Sequence, residues 1–254
     1  MRLCLFIIVS VFSVFLGFNE KGYCMTDTYK IVNCDEVNNV CIIRDKYLKY
    51  GLADKDLNII LPVEYSNISK NKDEYGNYRI TAKNIQSGIA NSKGQIILEP
   101  IYRSITSSRV NGKYQIQDSN FNIGLADAKT GNIDIKPAYD FIAAYDNGDY
   151  NVHKDSLNGV VSHSTLKLIV PVEYASIYLL NGSKYYRLEK SISFLNSEGL
   201  KEAKEVYGIV DTQGKVVVPL DCSWIEKGIS SYKYPVLRNG KEFIFDAKTG
   251  KLSN

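Results

Sequence analysis

Gly124-Leu125-Ala126-Asp127-Ala128-Lys129-Thr130-Gly131-Asn132-Ile133-Asp134-Ile135-Lys136-Pro137-Ala138-Tyr139-Asp140-Phe141-Ile142 sets out an order that the rest of the chain repeats. A glycine and two small apolar residues lead through an acidic turn to an apolar run, a proline, an aromatic and an isoleucine. The same order runs from Gly51 to Pro62, Tyr65 and Ile68, and from Gly88 to Pro100, Tyr102 and Ile105. It recurs from Gly159 to Pro171, Tyr174 and Ile177, and from Gly208 to Pro219, Cys222 and Ile225. A sixth, shortened copy is Phe243 to Gly250. Self-similarity at a fixed period defines a repeat architecture, in which each unit buries its apolar face against its neighbours.

Within a copy the pattern is that of strands. Gly124 to Asp127 and Asn132 to Ile135 are short apolar runs around Ala128-Lys129-Thr130-Gly131, a hairpin in which Asp127 bonds its own backbone and Gly131 supplies the left-handed residue. The same turn is written Asn91 to Gly94, Asp211 to Gly214 and Asp246 to Gly250. This chemistry, rather than calcium binding, accounts for the aspartates, since Leu, Ala, Lys and Thr stand where a calcium loop needs oxygen ligands. The proline cannot donate to a ladder and so ends or bends the second strand. After the aromatic and isoleucine come glycine turns at Tyr75-Gly76, Asn111-Gly112, Asn147-Gly148 and Asn181-Gly182. These introduce alternating strands at Tyr78, Tyr114, Tyr150 and Tyr185-Tyr186.

The expected fold is therefore all-β: six multi-stranded units of about 36 residues each, with no helix of useful length. Four strands per unit suggest a six-bladed β-propeller-like ring. The hairpin of the last copy and the strands Thr28 to Asn33 and Val40 to Asp45 would together close it in one shared blade. An open β-solenoid or superhelix is the alternative.

Arg2 followed by an apolar run from Leu3 to Phe18 reads as the n-region and h-region of an export signal over residues 1–24, leaving residues 25–254 as one repeat domain. The expected location is thus periplasmic, cell-surface or secreted, with membrane contact only through an uncleaved signal. In an oxidising compartment Cys34 and Cys41, separated by a short polar turn, are expected to form a disulfide across a hairpin. Cys222, in the place where other copies have tyrosine, reads as a buried apolar side chain. The formal charge is +3, and without residues 1–24 the chain keeps 29 basic and 27 acidic residues, too balanced for nucleic-acid binding.

The residues resemble those of the bacterial WG-repeat proteins, whose unit runs aromatic-Gly, a small apolar pair, Asp, a Gly-Lys turn, an apolar run to Pro, then Tyr-Asp and isoleucine. Tyr207-Gly208-Ile209-Val210-Asp211-Thr212-Gln213-Gly214-Lys215-Val216-Val217-Val218-Pro219 follows the pattern almost throughout, and Pro137 to Ile142 follows its second half. The resemblance spans roughly residues 50–250. It departs at the tryptophan, replaced by Tyr50 and Tyr207 in two copies and by Ser87, Ile123 and Asn158 in the others. The resemblance implies an exported or surface-associated protein and supplies no catalytic residues.

Function is therefore sought where the repeat breaks. The distance from Gly159 to Gly208 exceeds its neighbours by about a dozen residues, an insertion near 191–205 whose end could form a helical turn with Lys201 and Glu205 four apart. Phe194 and Leu195 in it, Trp224 as the one tryptophan, and Tyr186 are the candidate binding residues. The repeated tyrosines Tyr65, Tyr102, Tyr139 and Tyr174 read as packing. His153 and His163 have no partner at metal-ligand spacing, and no catalytic motif occurs. The expectation is a monomeric, non-catalytic binding or scaffold module for a protein, peptide or glycan, without cofactor or metal. The alternative is a hydrolase or metal-dependent enzyme on a propeller scaffold.

Overall fold

The computed structural model describes residues 17–18, 24–25, 28–108, 110, 112–181, 184–226 and 232–254. Every strand among them lies in one of six antiparallel sheets, each following chain order, and none of the described residues is helical. Sheet 1 holds β1 (Gly17–Phe18), β2 (Cys24–Met25), β3 (Lys30–Asp35), β4 (Val40–Arg44), β5 (Tyr50–Asp54) and β6 (Ile59–Tyr65). Sheet 2 holds β7 (Asn67–Ile68), β8 (Tyr78–Thr81), β9 (Ser87–Ala90) and β10 (Ile96–Tyr102). Sheet 3 holds β11 (Ser104–Ser107), β12 (Lys113–Gln117), β13 (Ile123–Asp127) and β14 (Ile133–Tyr139). Sheet 4 holds β15 (Phe141–Ala144), β16 (Tyr150–Lys154), β17 (Leu157–Val161) and β18 (Leu168–Tyr174). Sheet 5 holds β19 (Ser176–Leu179), β20 (Tyr185–Leu195), β21 (Lys201–Asp211) and β22 (Val216–Cys222). Sheet 6 holds β23 (Trp224–Ile225), β24 (Lys233–Arg238), β25 (Lys241–Asp246) and β26 (Lys251–Ser253).

The chain divides into two compact units, one of residues up to 107 with 116–119 and 127–132, the other of 108–115, 120–126 and 133–254. The export signal expected over 1–24 lies almost entirely outside the described residues, apart from the short pairing of β1 with β2. Asn111 and Gly182, expected in turns, also lie outside them, whereas Gly76 and Gly148 turn at positive φ as the sequence requires.

Sheets and sequence copies are out of phase. Each of sheets 2 to 5 takes its first two strands from the aromatic-isoleucine half of one copy and its last two from the glycine hairpin of the next. The crossing is a single residue, Ser66, Arg103, Asp140, Ala175 or Ser223, whose N–H donates to a carbonyl of the new sheet (Thr81, Gln117, His153, Glu189 and Leu237) at 2.8–2.9 Å. A chain so tightly held has no loop between sheets. Among the described residues no blade combines strands of both termini in the way the sequence predicts: β3 and β4 pair with each other and with β5, while β25 and β26 follow β24.

The glycine that opens each copy is a mid-strand residue. Gly88 stands between the pairs Ile89↔Leu98 and Ser87↔Tyr102, so it alone faces Glu99, Pro100 and Ile101. Gly124 faces Lys136, Pro137 and Ala138 in the same way, and Gly51, Gly159 and Gly208 repeat the arrangement. The proline-bearing strand therefore bulges towards the glycine. A Cβ on Gly124 would stand 2.4 Å from the Ile135 carbonyl oxygen and 2.7 Å from Pro137 N. The proline thus does not end the strand; it bends an edge strand that continues to the aromatic, where a missing N–H costs no ladder bond.

Within each unit apolar layers lie between consecutive sheets. In the first unit Val40, Ile42, Leu52 and Leu61 meet Ile68, Tyr78 and Ile80. In the second, one layer joins Ile123, Leu125 and Ile135 to Ile142, Tyr150 and Val152, and another joins Ile209, Val218 and Cys222 to Ile225, Tyr234 and Phe245. The turn glycines enter this packing too: Gly94 abuts Ile60, Gly131 abuts Ile97 and Gly214 abuts Ile169, and a Cβ on any of them would come within 2.2 Å of a carbonyl oxygen. Gly76, also at positive φ, has open space around it. Alanine at Gly76 is therefore expected to cost only the left-handed strain, about 1–2 kcal/mol. Gly131→Ala adds a backbone collision and should cost at least about 3 kcal/mol, measured by chemical denaturation of the two variants side by side.

Candidate functional site

Tyr186 is one of five buried tyrosines at an equivalent place in the second strand of sheets 2 to 6, with Tyr78, Tyr114, Tyr150 and Tyr234. Three of them reach a turn or strand of the preceding sheet. The Tyr78 hydroxyl donates to Asp35 at 3.3 Å, that of Tyr186 donates to Asp149 at 2.5 Å, and that of Tyr234 accepts from the Asn181 N–H at 2.8 Å. Asp149 also accepts from the backbone N–H of His163 and meets its Nδ1, both at 2.9 Å, while Asn147 bonds Asp149 and the Tyr186 hydroxyl. Burial works against the charged Asp149, but the bonds from Tyr186 and His163 outweigh it and hold its carboxyl below the ordinary value. Tyr186, expected at a binding surface, is 0% exposed and spends its hydroxyl inside this cluster. It is a clamp between sheets 4 and 5.

Burial, with Asp35 adding to it, pushes the Tyr78 phenol up to about 12. Burial raises Tyr145 and Tyr186 as well. In the unfolded chain these groups ionise near 10.0, so above that pH the unfolded state releases protons that the folded state retains. Stability is therefore complete below about pH 10 and falls as pH rises from there towards the folded values. Urea midpoints should fall as pH rises from about 10 towards 12, and Tyr186→Phe should lessen that fall while costing about 1 kcal/mol at neutral pH.

The other candidates lie on two surfaces of the second unit. Residues 191–205 form no helical turn: β20 and β21 are eleven residues each and pair without interruption from Tyr185↔Asp211 to Leu195↔Lys201. Their neighbours β19 and β22 stop at Glu189 and Tyr207, so residues 190–195 and 201–206 project as a two-stranded arm. Asn196 closes its tip by accepting the N–H groups of Glu198 and Leu200 on Oδ1, and Gly199 turns at positive φ. Leu195 and Leu200 are exposed there, and the Lys204 ammonium lies 5.5 Å over the ring of Phe194. A strand pair needs only cross-strand neighbours, and eleven uninterrupted pairs outweigh the few contacts of one helical turn.

Trp224 belongs to sheet 6, whose inner face supplies Ile225, Tyr234, Val236 and Phe245 to the core. The pairs Trp224↔Leu237, Leu237↔Glu242 and Pro235↔Ile244 place those five residues together on the opposite face. They line a cleft of about 460 Å³ with Phe243 and Asn254, and Trp224 is 42% exposed at it. Positions equivalent to Pro235 and Leu237 are polar in the other sheets whose pairing aligns them: Arg79 and Thr81, Asn151 and His153, Arg187 and Glu189. In sheet 5 that face is closed by an ion pair. Arg187, 2% exposed, lies between the rings of Tyr207 and Tyr178, bonds Glu189 at 3.1 Å and donates to the Ile225 carbonyl at 2.9 Å. Only in sheet 6, among these, does the face become apolar. Phe194 and Leu195 are not among the residues lining the cleft.

Cys34 and Cys41 face each other on β3 and β4 and are joined in a disulfide, as their spacing predicts. Cys222 is buried, and burial raises its thiol to about 11, which removes thiolate nucleophilicity at neutral pH. The turn aspartates act through their own backbone: Asp54, Asp127, Asp211 and Asp246 each accept two N–H groups on one oxygen. Among the described residues no three acidic, histidine or cysteine side chains converge on a metal position, and no helix is long and apolar enough to cross a membrane.

A family model described as "WG containing repeat" matches residues 88–120 and 207–241. These two stretches carry WG-type repeats, and both begin at a glycine-bearing strand and cross into the following sheet. No curated protein matches it. Among solved structures it is similar to the computationally designed Ika8 protein, with 13% identity, 87% of this chain and 85% of that one covered, and a TM-score of 0.26. It is also similar to the Dos1 propeller, with 10% identity, 95% and 72% covered and a TM-score of 0.26. The WD40 β-propeller domain of Doa1 matches with 11% identity, 87% and 83% covered and a TM-score of 0.27.

Proposed function

We propose that the protein is an exported, non-catalytic binding module of a bacterial cell envelope, and that it holds an apolar segment of a partner protein or peptide against sheet 6. The observation that carries this reading is the cleft at Trp224. Sheets 2, 4 and 5 present polar residues at the positions of Pro235 and Leu237, yet here tryptophan, proline, leucine and isoleucine stand together around a concave surface. Aromatic anchors in apolar pockets carry most of the energy of protein recognition. A glycan would require several hydrogen-bonding side chains, and among the described residues Glu242 and Asn254 are the polar ones at the cleft, so the peptide reading is favoured.

The disulfide of Cys34 and Cys41 and the apolar run after Arg2 support export. Support for a non-catalytic role comes from groups that have been drawn into structure: His163 onto Asp149, Cys222 into the core and the aspartates into turns. A displayed library of random peptides selected on the folded protein should yield sequences with apolar residues, and Trp224→Ala should weaken their binding by about 30-fold or more. Selected peptides that bind Trp224→Ala and Leu237→Glu as tightly as the unaltered protein would contradict the assignment.

A further inference from the structure

The projecting arm has two bare edges that differ in kind. The Asn196 N–H donates to the Leu200 carbonyl. From that point the alternation of an antiparallel pair turns the N–H and C=O groups of Leu195, Ser193 and Ser191 outward on β20, and those of Lys201, Ala203 and Glu205 outward on β21. Continued inward, the same alternation reaches Glu189, whose carbonyl accepts the Ala175 N–H of the adjoining strand. The outward groups at 191–195 and 201–205 have no strand beside them among the described residues. The β20 edge, Ser191-Ile192-Ser193-Phe194-Leu195, carries no charge, whereas the β21 edge reads Lys201-Glu202-Ala203-Lys204-Glu205.

That second edge is complementary to itself. We propose that two copies of the chain associate by antiparallel pairing of their β21 edges about a two-fold axis at Ala203. In that arrangement Lys201 meets Glu205 of the second copy, Glu202 meets Lys204 of the second copy, and the reciprocal pairs complete four opposite-charge contacts with no like charges face to face. The outward N–H and C=O groups of 201, 203 and 205 fall opposite those of 205, 203 and 201, so backbone bonds and charge pairs occur in one and the same register. Only the small side chain of Ala203 lies at the axis. All five residues are exposed. Two of the charges are already positioned: Glu202 accepts from Asn196 Nδ2 at 2.6 Å and Lys204 is held over Phe194. Lysine on an edge ordinarily deters pairing; here each lysine has a glutamate at the mirror position, so the edge deters other strands and accepts its own. A two-fold pairing closes on itself and leaves no end for fibre growth. This association differs from the monomer expected from the sequence, and it does not depend on the Trp224 cleft.

Sedimentation velocity of the full chain over a range of concentrations tests it. At about 0.05 M salt a reversible monomer-dimer equilibrium is expected, with a dissociation constant that rises about tenfold or more at about 0.5 M salt. Ala203→Pro removes one outward N–H and no bond of the arm's own ladder, and should abolish the dimer. Glu205→Lys sets two pairs of lysines face to face and should also abolish it, while the double variant Lys201→Glu/Glu205→Lys restores opposite charges and should recover it. Ser193→Pro on the other edge should leave it unchanged. A chain that remains monomeric at low salt, a dimer that survives both Ala203→Pro and Glu205→Lys, a charge-swapped double variant that stays folded but monomeric, or loss of the dimer in Ser193→Pro would overturn the proposal.

Discussion

Everything in this architecture hangs on one close approach: a single mid-strand glycine facing three residues of a proline-bearing edge strand. The bulge lets the edge strand bend, and the bend carries the chain to the aromatic and through one residue into the next sheet. A side chain at the glycine would occupy the space of the bulging backbone. Without the bulge the edge strand would run straight on, and consecutive sheets would need a loop between them. The co-occurrence of glycine and proline 11 to 13 residues apart is therefore a contact rather than two separate punctuation marks.

Stacking of sheets then rests on two further devices of the same kind. Turn glycines let one hairpin press against the previous sheet's edge strand. Buried tyrosines fill the layer with their rings, and Tyr78, Tyr186 and Tyr234 send their hydroxyls to a turn or strand of the preceding sheet, so that a large apolar body and one satisfied polar tip act together. At Tyr186 the tip meets Asp149, and the combination fixes a buried carboxylate that also holds His163. Among the described residues of the second unit, regularity breaks at the lengthened β20–β21 pair and at the apolar face of sheet 6 that carries Trp224. Those are the surfaces to which function is assigned, because residues repeated in every copy are already committed to the fold.

Much of the fold could be read in the amino-acid sequence, since local chemistry determines it. The Asx turns, the glycine turns, the strands that begin at buried tyrosines and the Cys34–Cys41 pair all depend on residues a few positions apart. What could not be read depends on partners distant in sequence. The division of each copy between two sheets follows from where the edge strand goes after its bulge, which no residue announces. The arm reads equally as a helical turn, because Lys201-Glu202-Ala203-Lys204-Glu205 favours helices locally and only its pairing with Ser191 to Leu195 makes it a strand. Tyr186 was indistinguishable from a surface tyrosine beside Tyr185; its repeat position, two before Leu188 as Tyr78 is two before Ile80, was the available signal. Trp224 was legible as a departure from the repeat, and the cleft around it was not.

The glycine constraint has an unusual sign, and that makes it measurable. In an ordinary strand, replacing glycine by alanine stabilises by about 0.5–1 kcal/mol through reduced chain entropy. Equilibrium urea unfolding of Gly124→Ala tests the constraint most directly. A loss of at least about 3 kcal/mol is predicted, because the new Cβ would collide with the Ile135 carbonyl and the Pro137 backbone; an unchanged or increased stability would contradict the account.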